Sequence, residues 1–349
     1  MRKLQNFLIK NNIEAIVVTE PANIRYWSGF SGSNGTLVVA KDSVTIITDF
    51  RYEEQVKQEL ICKARVQIAT DGMDKTLWSC LSGFERIAFE GDYLSAGQFL
   101  KYQSDFPDKT FLLLNIDAMR IVKSPAELLN LKKAADIANR AFDSLLGEIK
   151  VGMTEIEVAA SLEYKARTLG AAKMSFDTII ASGMHSAMPH AHPTNKIISK
   201  GDFVVMDFGV LYNGYCSDMT RTIVMGKASS EQKSIYNIVL DAQVSALNIV
   251  KNGVMASKVD ELARSIITKA GYGKMFGHST GHGVGLHIHE QPRLSSVSTE
   301  RLKTGMVVTV EPGIYIPNMG GVRIEDLVIV TKDGRDVLTA DITKELLEI

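Results

Sequence analysis

The chain reads as an α+β protein in two parts: a mixed α/β region over residues 1–123 and a larger α+β region over residues 124–349 that is built twice. Three observations predict this. Short apolar runs alternate with helical patterns up to about residue 120. A helix-capping signature then opens at Ser124. Beyond it the sequence echoes itself at a spacing of roughly 100 residues, too long for a solenoid and suited to two related half-domains facing each other.

Residues 1–12, MRKLQNFLIKNN, place Leu4, Phe7 and Leu8 on one face of an amphipathic helix. The following run AIVV is too short to span a bilayer or to serve as a signal core, so cytoplasmic residence is the expectation. AIVV, TLVVA, SVTIITD, RIAFE and FLLLNI read as strands, and RYEEQVKQELI as a helix between them. At the boundary, Ser124-Pro125-Ala126-Glu127 is a capping box with proline at the first helical position, opening a helix with apolar Leu128, Leu131 and Ile137. Thr154 and Glu157 form a second box, for a helix that Gly170 closes.

The repeat carries the chemistry. GDFVVMDFG from Gly201 aligns without a gap on GMVVTVEPG from Gly305, setting Asp207 on Glu311. A second acid follows each, Asp218 in SDMTRTIVM and Glu325 in VRIEDLVIV, and the helical stretches from Lys150 and Lys251 echo each other upstream. FVVMDFGVL and YCSDMTRTIVM flank Asn213-Gly214, a strong hairpin signal that pairs Tyr212 with Tyr215 and therefore Gly209 with Asp218. Asp207 and Asp218 then become diagonal neighbours, roughly 7 Å apart at their backbones. Glu311 and Glu325 pair directly if their connection is centred on Asn318 in IPNMGG. One such acid alone reads as a solvated carboxylate; four together, with the apolar flanks VVM and VVTV, repel one another unless cations neutralise them. An oxygen-rich set with a single imidazole suits a pair of divalent metal ions, and such a pair implies hydrolysis.

The histidines fall in two segments, MHSAMPHAHP and GHSTGHGVGLHIHEQP. His282, between glycines that let the backbone approach a metal closely, is the ligand candidate. His289 in HEQP and His190 in PHAHP are candidates for donors to a substrate carbonyl, and His278 for a partner supporting the ligands. His185, His192 and His287 read as structural or surface residues. Arg323, on the strand face of Glu325, holds a ligand carboxylate or forms an ordinary structural ion pair. Cys216 alternates onto the side of Asp218, lining the site or filling space beside it.

Composition narrows the class. With 349 residues and 45% hydrophobic content the chain can fill two cores. A formal charge of −1 provides no electrostatic basis for a nucleic-acid or anionic-membrane partner. Cys62, Cys80 and Cys216 lack CxxC spacing, which suits a reducing compartment and offers neither a disulfide framework nor a thiolate metal site.

With Asp207 in MDFG, Asp218 in SDMTRT, His282 in TGHGVGL, Glu311 in TVEPG and Glu325 in RIED, the chain resembles the pita-bread metallopeptidases, the group of methionine aminopeptidase, aminopeptidase P and prolidase. SFDTIIASGMHSAMPH and HEQP resemble the segments that contribute substrate-contacting histidines, which fall on His190 and His289. NIRYWSGFSGSNG and TDFRY resemble the amino-terminal domain shared by the Xaa-Pro enzymes and creatinase, a domain that bacterial-type methionine aminopeptidases lack. Creatinase does not use the full ligand set found here. The resemblance therefore implies a creatinase-like domain ahead of a duplicated pita-bread catalytic domain, assembled as a homodimer. It implies cleavage of the bond before proline in dipeptides or in longer proline-containing peptides.

By the same resemblance Asp207 binds one metal, His282 and Glu311 bind the other, and Asp218 and Glu325 bridge the two. A water shared by the metals attacks the carbonyl, His289 helps to stabilise the oxyanion, and Glu311 carries the proton to the departing nitrogen. Hard donors with one imidazole favour Mn2+, and Co2+, Fe2+ and Zn2+ also fit. Two alternatives stay open. One is an aminopeptidase of other specificity on this scaffold, of methionine aminopeptidase or creatinase type; the other is a non-catalytic binding module that retains the fold.

Overall fold

In the computed structural model, which describes residues 1–349, the apolar runs of a first unit, Met1–Arg120, build one six-stranded mixed sheet. Its strands are β1 (Ala15–Val18), β2 (Gly35–Ala40), β3 (Val44–Thr48), β4 (Arg65–Ile68), β5 (Arg86–Glu90) and β6 (Thr110–Leu114), in the order β4-β3-β2-β1-β5-β6. Alternation along β1 explains the layering. Ile16 and Val18 enter one apolar cluster with Leu4, Leu8 and Trp27, while Ala15 and Val17 enter another with Leu77, Leu81 and Tyr102. Helices α1 (Arg2–Lys10) and α2 (Pro21–Ser28) contribute to the first cluster, together with Val56 of α3 (Glu53–Glu59). Helices α4 (Met73–Leu81) and α5 (Ala96–Asp105) supply the second. The five expected strands are all present. The sixth, β4, escapes a reading by hydrophobicity because RVQI is a half-exposed edge strand.

The second unit, Ile121–Ile349, is organised as two helix pairs over antiparallel hairpins. Helices α6 (Pro125–Leu146) and α7 (Glu155–Thr168) begin at Ser124 and Thr154, and both capping boxes close reciprocally with Glu127 and Glu157. Their apolar faces pack with strands β8 (Ile179–Ser182), β9 (Phe203–Phe208), β10 (Val210–Tyr212) and β12 (Met219–Val224). The preceding β7 (Lys173–Met174) and the short β11 (Tyr215–Cys216) flank β10. The second half repeats the plan. Helices α8 (Ser230–Ile249) and α9 (Ala256–Lys269) pack on β15 (Val307–Val310), β16 (Gly313–Ile316), β17 (Gly320–Arg323) and β18 (Asp326–Val330). Three strands are added at the edges of this half: β13 (Gly281–Gly283), β14 (Glu290–Leu294) and β19 (Arg335–Val337). Equivalent glycines bend alike: Gly152 and Gly253, Gly170 and Gly271, and Gly201 and Gly305 all have φ between 87° and 110°.

Register follows the expected pairing in both hairpins. Tyr212 pairs with Tyr215 around Asn213-Gly214, and the same register runs on to Met219 opposite Phe208 and Thr220 opposite Asp207. In the second hairpin Ile316 pairs with Gly320, Gly313 with Arg323, and Val310 with Asp326, centring the turn on Asn318. Each hairpin is interrupted partway, so one continuous connection is split into two short ladders. The interruptions fall at Asp218 in the first half and at Glu311 and Glu325 in the second. No helix is long and apolar enough to cross a membrane.

Candidate metal centre

Side-chain alternation decides where the acids point. Val204, Met206 and Phe208 of β9 feed the core under α6 and α7, and Val308 and Val310 of β15 feed the core under α8 and α9. Asp207 and Glu311 therefore face away from the helices. Met219 on one side and Ile324 on the other likewise leave Asp218 and Glu325 on the face opposite their cores. The two halves are bonded to each other at this point. Glu325 N donates to Thr220 O at 3.1 Å, and Arg323 N donates to Thr222 Oγ1 at 3.1 Å.

The result is one convergent cluster. Asp218, His282 and Glu325 each bring a ligand-type atom within 4.8 Å of the others. His282 Nε2 lies 3.5 Å from Asp218 Oδ2 and 3.3 Å from Glu311 Oε1. Its Nδ1 is 3.0 Å from Gly283 O, so a proton there satisfies the carbonyl and leaves the Nε2 lone pair facing the carboxylates. Asp207 joins through Arg323, whose Nη2 donates to Oδ2 at 2.5 Å, while Asp207 Oδ1 is buried and accepts no hydrogen bond. Thr220 Oγ1 donates to Glu325 Oε2 at 2.7 Å and Thr309 Oγ1 to Glu311 Oε1 at 3.0 Å, which fixes both carboxylate planes.

The electrostatics are those of a site built for cations. Burial, with the charges of Glu325 and Asp207 alongside, pushes the Asp218 carboxyl well above its ordinary range. Glu325 is raised in the same way by burial and by Glu311 and Asp207, and burial raises Glu311. Burial holds His282 below the ordinary imidazole value. Four carboxylates thus share one guanidinium, with a buried carboxylate oxygen unpartnered beside it. Hard oxygen donors plus one neutral imidazole fit divalent cations of the Mn2+ or Co2+ kind better than thiolate-seeking ones. The donor set fits the group the sequence predicts.

Of the supporting residues, His289 stands closest. Its ring lies 4.4 Å from that of His282 in a T-shaped contact, and desolvation followed by the charge of His282 lowers it to about 4. His190 is exposed, and the carbonyl of the preceding Pro189 accepts from Arg323 Nη1 at 3.3 Å. His278 supports no acid directly: its Nε2 is 3.0 Å from Tyr315 OH, which in turn meets Arg323 Nη1 at 2.7 Å. Arg323 is the ion-pair partner of Asp207, one of the two readings open from the sequence.

Two readings become specific. Gly281 and Gly283 make room for neighbouring strands: a Cβ on Gly281 would collide with Thr309 O, and one on Gly283 with Gln291 O. Cys216, the last residue of β11, packs with Leu131, Val284 and Val307, the space-filling one of its two readings. Burial pushes its thiol up to about 12, so it is inert filler.

Some participants went unnoticed in the sequence. Thr220 and Thr309 stand two residues from Asp218 and Glu311, so period-two counting would have found them. Arg221 is different. Its guanidinium, 2% exposed, donates from Nη2 to Asp326 Oδ1 at 2.9 Å and from Nη1 to Glu325 O at 2.5 Å, behind the site. Nothing in the linear sequence marks it.

Residues 130–332 match the model of Metallopeptidase family M24, and residues 1–122 match that of the Creatinase/Prolidase N-terminal domain. A Xaa-Pro dipeptidase of Pyrococcus furiosus is 41% identical over 342 residues, covering 97% of both chains. Among solved structures, a Xaa-Pro dipeptidase from Bacillus anthracis superposes with a TM-score of 0.95 at 41% identity, over 99% of this chain and 98% of that one. An X-Pro aminopeptidase from Thermotoga maritima gives 0.91 at 37% identity, over 99% of this chain and all 100% of its own.

Proposed function

The chain belongs to metallopeptidase family M24, and from that premise we propose that it cleaves the peptide bond before proline in Xaa-Pro dipeptides. In this reading Asp207, Asp218, His282, Glu311 and Glu325 hold two divalent cations, Mn2+ foremost. The observation that carries it is the buried cluster itself: raised carboxyls on Asp218, Glu311 and Glu325, a neutral His282 with its Nε2 turned inward, and an unpartnered Asp207 Oδ1. A non-catalytic module has no need to maintain such repulsion. The dipeptidase assignment is supported by relatives of that name over the full length of the chain.

Bound there, such cations acidify water and polarise a carbonyl oxygen. The protein's own groups supply the rest. Asp207, Asp218 and Glu325 act as acceptor ligands, with Asp207 oriented by Arg323 and Glu325 by Thr220. Glu311 is the proton carrier: Oε1 is engaged by Thr309, so Oε2 takes the proton of the attacking water and returns it to the imide nitrogen of proline. His289, neutral at pH 7 with its value near 4, donates an N–H to the developing oxyanion. His190 contacts the same substrate from the other segment. Homodimerisation belongs to this proposal and is read by sedimentation equilibrium.

A panel of Ala-Pro, Ala-Pro-Ala, Met-Ala and creatine tests it. Ala-Pro should be cleaved with Mn2+, the activity should vanish on chelation and return on reloading, and metal analysis should find two ions per chain. A longer-peptide preference is the second reading, favoured by the likeness to the Thermotoga X-Pro aminopeptidase; Ala-Pro-Ala cleaved faster than Ala-Pro would select it. No cleavage of any Xaa-Pro peptide after reloading would end both.

A further inference from the structure

Resting on the reading that His190 contacts substrate, we propose that Glu155 is the positioning residue of the segment that carries it, one buried carboxylate closing both ends of residues 182–194. Glu155 is the first residue of α7 and is 0% exposed. At the near end of the segment, Ser182 N and Ser182 Oγ donate to Oε1 at 2.7 and 2.8 Å. At the far end, Thr194 N and Thr194 Oγ1 donate to Oε2 at 3.1 and 2.7 Å. His185 Nδ1 sits between the two oxygens, at 3.0 and 2.9 Å. Burial alone would raise this carboxyl, yet the donors hold it below its ordinary value, so it is ionised and accepts from all of them.

The enclosed chain has little regular structure of its own, only one short turn over Gly183–Ala187. An irregular segment of this kind is ordinarily mobile. Here it is tied at three places to fixed parts of the molecule. Glu155 joins its ends to a helix. Ser186, 1% exposed, accepts from Gly321 N at 2.8 Å and so meets the hairpin of the other half. Pro189 O accepts from the guanidinium that also holds Asp207. His190 therefore projects from a loop whose geometry is referenced to the acids themselves. Lys196 Nζ, donating to Ser182 Oγ at 2.7 Å, places a cation beside the clamp.

Glu155→Gln tests this, since its amide NH2 faces donors at one end and opens that end alone. Mn2+ content should match the wild type, while kcat on Ala-Pro falls about 10- to 100-fold through misplacement of His190. Amide hydrogen exchange should quicken within residues 182–194 and stay unchanged elsewhere. On a His190→Ala background the same change should cost almost nothing further. Losses that multiply in full across the pair, or a Glu155→Gln protein with wild-type kcat and wild-type exchange, would overturn the proposal. If Glu155→Gln does not fold, Thr194→Val removes a single donor while retaining the carboxylate, and the same exchange and coupling criteria apply. Should the wild type cleave no Xaa-Pro peptide, the function reading falls by itself, and the exchange measurement still decides the clamp.

Discussion

At the scale of single residues, the site turns on which atom of each side chain is already engaged. Asp207 gives Oδ2 to Arg323 and keeps Oδ1 without a partner; His282 gives Nδ1 to a carbonyl and keeps Nε2. A buried acceptor left in this state destabilises the fold unless something occupies it, so the pattern points to a cation. His289 touches the ring of His282 but is assigned to substrate. His289→Ala should therefore retain both metal ions while kcat on Ala-Pro drops by about 10²- to 10³-fold, the usual loss for an oxyanion donor; paired metal analysis and kinetics check it. The acids were legible because each sits in a short apolar context that repeats, and His282 because it sits between glycines. Tyr315, Arg221 and Glu155 were not, since their partners lie far along the chain and no local spacing encodes them.

At the scale of elements, pairing register carried the prediction. A slip of one residue would have turned every acid into an apolar core. Turn chemistry prevents the slip: Asn213, Gly214 and Asn318 adopt φ of 46°, 82° and 65°, the left-handed conformation that Asn and Gly tolerate. The strand bearing His282 is held differently, squeezed between β14 and β15 with no room for a Cβ at Gly281. Gly281→Ala should push β13 from β15 and displace His282. A fall in Mn2+ affinity of about 10- to 100-fold is expected, the size found when support behind a metal ligand is lost, and titration calorimetry reads it. Elements with weak hydrophobic contrast were the ones that stayed hidden, β4 above all, and alternation alone left Cys216 open between lining the site and filling space, because β11 stops at Cys216, two residues before Asp218.

For the whole molecule, the cluster makes stability depend on pH and metal together. Metal-free, the folded protein keeps protons on Asp218, Glu311 and Glu325 that the unfolded chain releases near the ordinary values of 3.8 and 4.5. The folded state then binds more protons than the unfolded one, so these groups lower stability as pH rises above about 4. Cations that occupy the site remove that loss and favour the folded state by mass action. The Tm difference between Mn2+-loaded and chelated protein should therefore be wider at about pH 7 than at about pH 5, read by calorimetry at the two pH values. A gap that is constant with pH would mean that the acids do not act together.

The duplicated plan, the hairpin registers and the acids proposed as ligands were readable from the chain alone, because these follow from short-range rules: alternation, turn residues and helix caps. Three-dimensional packing was needed to show which lone pairs remain available, why glycines flank His282, and that a single carboxylate on α7 gathers a loop ending nearly forty residues away. Those outcomes depend on distance in space and on exclusion of water, and neither is a property of neighbouring positions in the chain.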